Sequence, residues 1–459
     1  MSIGESLLKQ GARSRTALAL AAVLAATSGT AAGAAGTGAT ASVAVGRGVA
    51  VVFDLGDAAA DASVRADLRH LVPDLWDLVP PGIDGADGVE EITVRYRGKG
   101  RLGPRRGYPQ AKAETGPAPF EDPDTLPFVA FNLATRNEFE VRFPRTLLHR
   151  LHAHALARGI NREVRLSGAP SSPAGAPAGG ETFTPSAWSG NVDNRVRFYG
   201  VNAPVTHWER QRVSDFGGCS ATLVGPRHVI TAAHCMYDPD DADPWADDVW
   251  IRVGRNGTSW LDEVYIDNDN IPGGQVLWYW VPGGYISSQH HQYDIGLIVT
   301  PRRIGQTTGG WMGWWVLNAN TLATQSLWNV GYPACTSFTP DGTPRIDEPN
   351  PAPPDFCRTN HLYGDVNTCA PAQYTNQDGD GWSRNFRHRC DASAGNSGSP
   401  VYLNFNGRGW GVTGVHIQSL CGTTAGNPCN AADSVRPLRA SRVTPEYSGV
   451  ISFFRNLYP

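Results

Sequence analysis

The 459-residue sequence has no CxxC pair, and none of its eight cysteines precedes position 219. The first absence removes the commonest zinc-ligand spacing. The second divides the chain into a cysteine-free N-terminal part and a C-terminal part expected to carry disulfides, as an even cysteine count does in an exported chain. A basic excess is also lacking. The formal charge is −4, which offers no electrostatic footprint for nucleic acid. Long apolar runs are scarce. One covers residues 16–26, follows Lys9, Arg13 and Arg15, and precedes a small-residue stretch at 27–36. That is the layout of an export signal over residues 1–36, and the run is too short to span a bilayer. No second such stretch follows. The mature chain is therefore expected to be secreted, extracellular or periplasmic, without membrane contact once the signal is removed.

What is present is a globular composition, 41% hydrophobic and 18% charged, with 52 glycines and 34 prolines that favour turns and short strands. Residues 37–166 read as a small α/β unit. Strands are expected at 49–55 and 91–96, helices at 62–71 and 146–158 and one or two strands within 128–143. Residues 167–194 are rich in Gly, Ala, Pro and Ser and read as a linker. A cysteine-free unit between signal and cysteine-bearing region is expected to be a propeptide or an accessory domain. From 195 to 459 short β runs recur (220–224, 228–230, 249–253, 276–280, 295–299, 327–332, 400–404, 411–417), separated by turn residues. No long helical pattern appears before 444–457. This texture predicts an all-β barrel or sandwich closed by a C-terminal helix.

Three pieces in this region carry chemistry. Thr231-Ala232-Ala233-His234-Cys235 places a histidine after a strand. Tyr293-Asp294-Ile295-Gly296-Leu297-Ile298 places an aspartate at the mouth of an apolar strand. Gly395-Asn396-Ser397-Gly398-Ser399-Pro400 holds a serine on a small-residue loop. A serine hydroxyl is a poor nucleophile at neutral pH and needs a base, itself oriented by a third group.

These motifs, in the order His, Asp, Ser and preceded by Gly218-Cys219-Ser220-Ala221-Thr222-Leu223-Val224, resemble those of the trypsin/chymotrypsin-like serine proteases. Gly254-Arg255-Asn256-Gly257-Thr258-Ser259, Gly331-Tyr332-Pro333 and the serine loop with Val401 are similar to the bacterial glutamyl endopeptidase branch. The resemblance covers residues 195–459. It implies a double six-stranded β-barrel, chymotrypsin-like, and a serine endopeptidase made as a precursor. It implies His234 as general base, Asp294 as its orienting partner and Ser397 as nucleophile. The N–H groups of Gly395 and Ser397 would form the oxyanion hole, where losing one donor costs roughly 3–4 kcal/mol. It also implies a Cys219–Cys235 disulfide beside the histidine. Cys390–Cys421 is expected to staple the walls of the specificity pocket, with Cys429 as the competing partner. Asn396 stands where trypsin-like zymogens keep the aspartate that receives a new N-terminal amine, so that activation switch is not expected.

For specificity, Asp391 lies where trypsin keeps a carboxylate for Arg or Lys, and His416 where glutamyl endopeptidases keep a histidine for the substrate carboxylate. Ala392 replaces the branch's hydroxyl residue, with Ser393 or Ser419 as substitutes. After residue 190 there are only four glutamates (209, 263, 348 and 446) against twenty aspartates. A protease depletes its own surface of the residue it cleaves after, so glutamate preference is expected. Arg/Lys preference through Asp391 is the alternative, and an inactive homologue serving as a binding module is the alternative of another class.

No cofactor and no metal site is expected. Calcium is considered at the six aspartates within 238–248, read as a solvated loop, and at 376–381, where Arg387 stands in the position that an EF-hand gives to Glu. The expected partners are polypeptide substrates, and the expected state is a monomer.

Overall fold

The computed structural model describes residues 40–46, 49–71, 90–104, 122–166, 195–198, 205–247, 249–266, 277–333, 360–365, 368–374, 384–390, 392, 395–418 and 438–459. The main elements of the N-terminal part are β1 (Thr40–Gly46), β2 (Val49–Asp54), α1 (Ala62–Leu71), β3 (Glu90–Lys99), β4 (Thr125–Asn132), β5 (Asn137–Pro144) and α2 (Arg145–Arg158). Alternation explains β5. Its buried residues Phe139, Val141 and Phe143 are separated by half-buried Glu138, Glu140 and Arg142. In α2, Leu147, Leu148, Leu151 and Ala155 form one buried stripe.

The C-terminal part holds β6 (Arg195–Phe198), β7 (Val213–Phe216), β8 (Cys219–Leu223), β9 (His228–Thr231), β10 (Val249–Val253), β11 (Asp262–Ile266), β12 (Trp278–Pro282) and β13 (Gly296–Val299). Between β12 and β13 lies the short helix α3 (Gly283–Ser288). Then come β14 (Trp328–Gly331), β15 (Leu362–Asp365), β16 (Pro371–Tyr374), β17 (Asn385–His388), β18 (Pro400–Asn404), β19 (Trp410–Gln418) and β20 (Leu438–Arg442). The last helix, α4 (Pro445–Leu457), has Pro445 in its first turn. The Thr444 side chain caps it by accepting from the Tyr447 N–H.

Two antiparallel-rich sheets carry the C-terminal strands. The second runs β16-β17-β20-β19-β18-β14-β15-β6, with residues 313–314 also pairing to β19. The first runs β1-β2-β3-β5-β4-β12-β13-β9-β8-β7-β10-β11. This differs from two six-stranded barrels preceded by a separate unit. The N-terminal strands continue the first sheet through an antiparallel pairing of Phe128–Asn132 with Trp278–Pro282.

The core is likewise shared. Phe131 stacks on Trp245 at 4.6 Å between centroids. Phe143 meets Phe453 at 5.1 Å, and Phe139 meets Trp278 at 6.2 Å. α2 packs on α4 closely enough that a side chain at Gly449 would come within 2.3 Å of the Leu148 carbonyl oxygen. Polar contacts seal the rim. Arg145 pairs with Glu446 at 3.1 Å, Trp314 N–H donates to Asn161 O at 2.8 Å, and Trp410 N–H donates to Glu163 Oε2 at 2.8 Å. No described helix is long and apolar enough to cross a membrane.

Candidate active site

Strands β9 and β13 pair with Thr231 opposite Gly296. His234 lies three residues past the first and Asp294 two residues before the second, so the register alone brings them to one sheet end. His234 Nδ1 is 2.7 Å from Asp294 Oδ2, and the His234 backbone N–H donates to Asp294 Oδ1 at 3.0 Å. Both residues are buried, the aspartate completely. One carboxylate thus grips the histidine twice, which fixes ring orientation and places the ring proton on Nδ1. His234 Nε2 is buried and makes no hydrogen bond. Cys219 and Cys235 are joined by a disulfide with Cα atoms 6.2 Å apart, tying the histidine turn to β8.

Ser397 sits on the loop between β17 and β18. Gly395 and Gly398 flank it with φ of +89° and +85°, values glycine adopts without strain. At Gly398 a side chain would also collide with Ser220 O at 2.0 Å and Thr231 Oγ1 at 2.2 Å. The histidine turn and the serine loop therefore touch, since Thr231 opens the segment that carries His234. Ser397 makes no hydrogen bond to His234 Nε2 in the free protein, a contact that commonly tightens only with substrate bound. Asn396 is completely buried, and neither atom of its amide has a hydrogen-bond partner.

His416 on β19 is brought to the same loop. Its N–H donates to Ser399 O and its carbonyl accepts from Gly398 N–H, both at 2.8 Å. Its ring meets His388 of β17, with His416 Nδ1 and His388 Nε2 3.2 Å apart. Burial holds the His416 pKa well below the ordinary range, and the neighbouring His388 and His234 push it the same way. Burial also lowers His388, to about 3. Ala392 is completely buried. Asp391, Ser393 and Ser419 lie outside the described residues.

One expected disulfide is corrected. Cys390 bonds Cys369, with Cα atoms 4.9 Å apart, and not Cys421. The β16–β17 hairpin explains this. Pro371 pairs with His388, so continuing the register two residues outward sets Cys369 opposite Cys390. Within 238–247, Asp238 Oδ1 accepts from the Asp240 N–H at 3.1 Å and Asp241 Oδ1 from the Asp243 N–H at 3.4 Å, while Asp240 Oδ1 accepts from Gln289 Nε2 at 3.4 Å. The segment 376–381 lies outside the described residues.

Local sequence does not mark Ser220 or His388 as functional: Ser220 is one small residue within Gly218–Val224, and His388 stands two residues before Cys390 with no motif around it.

The carboxylate-held histidine stands at the end of a strand of the first sheet, and the serine, between two left-handed glycines, precedes a strand of the second, groups of the kind that serine protease chemistry requires. Residues 199–439 match the trypsin family, and the chain belongs to it. It is similar to the glutamyl endopeptidase of Bacillus licheniformis, 32% identical over 122 residues, covering 26% of this chain and 34% of that protein. It is also similar to a Bacillus subtilis protein named extracellular metalloprotease, 26% identical over 201 residues, covering 44% of this chain and 51% of that protein. The chain thus spans between a third and a half of the length of these relatives. Among solved structures it is similar to a Glu endopeptidase in complex with MPD (19% identity, TM-score 0.38, 58% of this chain and 99% of that one). It is similar too to the protease Anisep from Arthrobacter nicotinovorans (15% identity, TM-score 0.31, 50% and 90%).

Proposed function

We propose that the protein is a secreted serine endopeptidase acting through Ser397, His234 and Asp294, with preference for glutamate before the scissile bond. The observation that carries the reading is the double grip of Asp294 on His234, which leaves Nε2 as the one nitrogen able to take a proton. Ser397 Oγ attacks the peptide carbonyl while His234 Nε2 accepts its proton. Asp294 stabilises the imidazolium that forms. The carbonyl oxygen gathers negative charge and is met by the N–H groups of Gly395 and Ser397. His234 then returns the proton to the departing amine, leaving an acyl-enzyme on Ser397. Water, activated by His234, releases the acid product. A phosphonate that labels the nucleophile tests this. Labelling of the wild type, abolished in Ser397→Ala, is expected, and an unlabelled wild type would sink the reading.

Glutamate preference is supported by His416, buried and fixed to the nucleophile loop by two backbone hydrogen bonds. Cleavage of a peptide library after Arg or Lys would defeat it and restore the Asp391 alternative. The name of the Bacillus subtilis relative suggests a metal-dependent reading. Among the described residues the two His/Cys groups that could hold an ion are Cys219, His234, Cys235 and Cys369, His388, Cys390. Their sulfurs are tied in disulfides, so neither supplies a thiolate ligand. The donor chemistry favours the serine reading, and inhibition by a chelator with phosphonate resistance would reverse that preference.

Residues 40–166 are proposed to be a retained accessory unit instead of a removable propeptide. The shared sheet and shared aromatic core support this.

A further inference from the structure

Four segments of the catalytic region meet at one completely buried residue, Ser220 of β8. Its N–H donates to Ser397 O at 2.7 Å. Its hydroxyl donates to Gly395 O at 3.1 Å and accepts from the Tyr332 N–H at 2.8 Å. Its carbonyl accepts from Thr231 Oγ1 at 2.8 Å. The space is closed on every side. A side chain at Gly398 would lie 2.0 Å from Ser220 O, and one at Gly331 would lie 2.8 Å from Ser220 Oγ. This gives the Gly331-Tyr332-Pro333 sequence a role: the glycine permits the approach and the tyrosine N–H completes the hydroxyl's bonding.

We infer that Ser220 is the positioning residue of the oxyanion hole, holding the Gly395 and Ser397 N–H groups in their convergent orientation. The inference rests on the serine-protease reading. Its logic is geometric. The two donors belong to residues 395 and 397, and the carbonyls of those same two residues are both held by Ser220. Gly395 has no side chain to restrict it and rotates between left- and right-handed conformations at little cost. A loop of this kind needs an external clamp if its N–H groups are to be fixed before the charge develops, and preorganisation is what makes such donors effective. Removing Oγ frees the Gly395 carbonyl and strips the Tyr332 N–H of its acceptor. Through Thr231 the same residue couples the serine loop to the segment that carries His234.

The test compares wild type with Ser220→Ala, counting active sites by phosphonate titration. The expected result is kcat per titrated site lower by about 10–100-fold, KM within about twofold, and weaker binding of a peptide aldehyde by the same factor as kcat/KM. An aldehyde bound to Ser397 places an oxyanion in the hole. Binding of an uncleaved product peptide should not change. A merely structural role would lower the thermal midpoint and the titratable fraction but leave kcat per site and aldehyde affinity unaltered, and that result overturns the inference. If Ser220→Ala does not fold, Ser220→Cys, which replaces the oxygen by a larger sulfur and weakens the donor, is read by the same two ratios. If the wild type is not labelled at all, the serine-protease reading falls and this inference with it. A labelled, active wild type with an unimpaired S220A removes this inference alone.

Discussion

The Asp294 carboxylate receives two donors from one residue, the backbone N–H and Nδ1 of His234. The consequence for Asp294→Asn follows from donor counting. The backbone N–H can only donate, so the new amide turns its oxygen toward it. The amide NH2 then faces Nδ1, which must become an acceptor, and the ring proton moves to Nε2. A histidine in that tautomer cannot take the serine proton. The expected loss in kcat is about 10⁴-fold, as for amide replacement in trypsin-type triads, with little change in KM. A pH–rate profile measured beside it should lose its dependence on the histidine; a loss under tenfold would refute the arrangement.

His416→Ala should reduce kcat/KM on glutamyl peptides far more than on apolar ones. Leaving one member of a buried charge contact unpaired costs about 2–5 kcal/mol, so a loss of at least about 30-fold on glutamate is expected. Equal losses on both substrates would show that His416 serves folding alone.

Stability should fall on acidification. His388 and His228 have folded pKa values near 3, both lowered first by burial, with Arg455 and Arg227 adding to the effect at His228. Their unfolded values are near 6.5. Above pH 6.5 neither state binds these protons and the full stability is present. Between pH 6.5 and about 3 only the unfolded state binds them. Each histidine then removes about 1.4 kcal/mol per pH unit. Urea midpoints at pH 7, 6 and 5 check this, and a flat profile would contradict the assignment of neutral buried rings.

Cutting the chain within residues 167–194 at an introduced protease site should not release residues 40–166. The two fragments should co-elute in size-exclusion chromatography with activity within about twofold of the uncut chain. Separation accompanied by a rise in activity would return the unit to the role of inhibitory propeptide. Arg145→Ala, which deletes the ion pair to Glu446, should weaken the association of the cut fragments without reaching the catalytic residues.

Much of the molecule is legible in its sequence where local pattern and tertiary demand agree. The helix expected at 62–71 appears as Ala62–Leu71, since Val64, Leu68 and Leu71 repeat at helical spacing and all are buried. Of the one or two strands expected within 128–143, two form: Asn137–Pro144 alternates buried and half-buried residues, while Thr125–Asn132 carries a continuous buried run, Phe128 to Phe131. His234, Asp294 and Ser397 stood out because each lies in a motif of small or apolar residues. Other features are relations between distant segments and leave no local trace. The pairing of Phe128 with Pro282 joins two strands that each look complete alone. Cys369 finds Cys390 through the register in which Pro371 pairs with His388, which cysteine spacing cannot report. Ser220 looks like any small residue in a strand until three other segments close around it.

The pairing at Trp278–Pro282 also decides which parts of the surface are sticky. Without residues 125–132 that strand would leave unpaired backbone groups along a Trp-Tyr-Trp-Val run, the kind of open edge that recruits other chains. With them in place, the sheet ends instead at Thr40–Gly46, a strand of small residues far along the chain from the catalytic loops. Residues 125–132 thus cover this apolar edge, and a catalytic region truncated before them is expected to be less soluble than the whole chain.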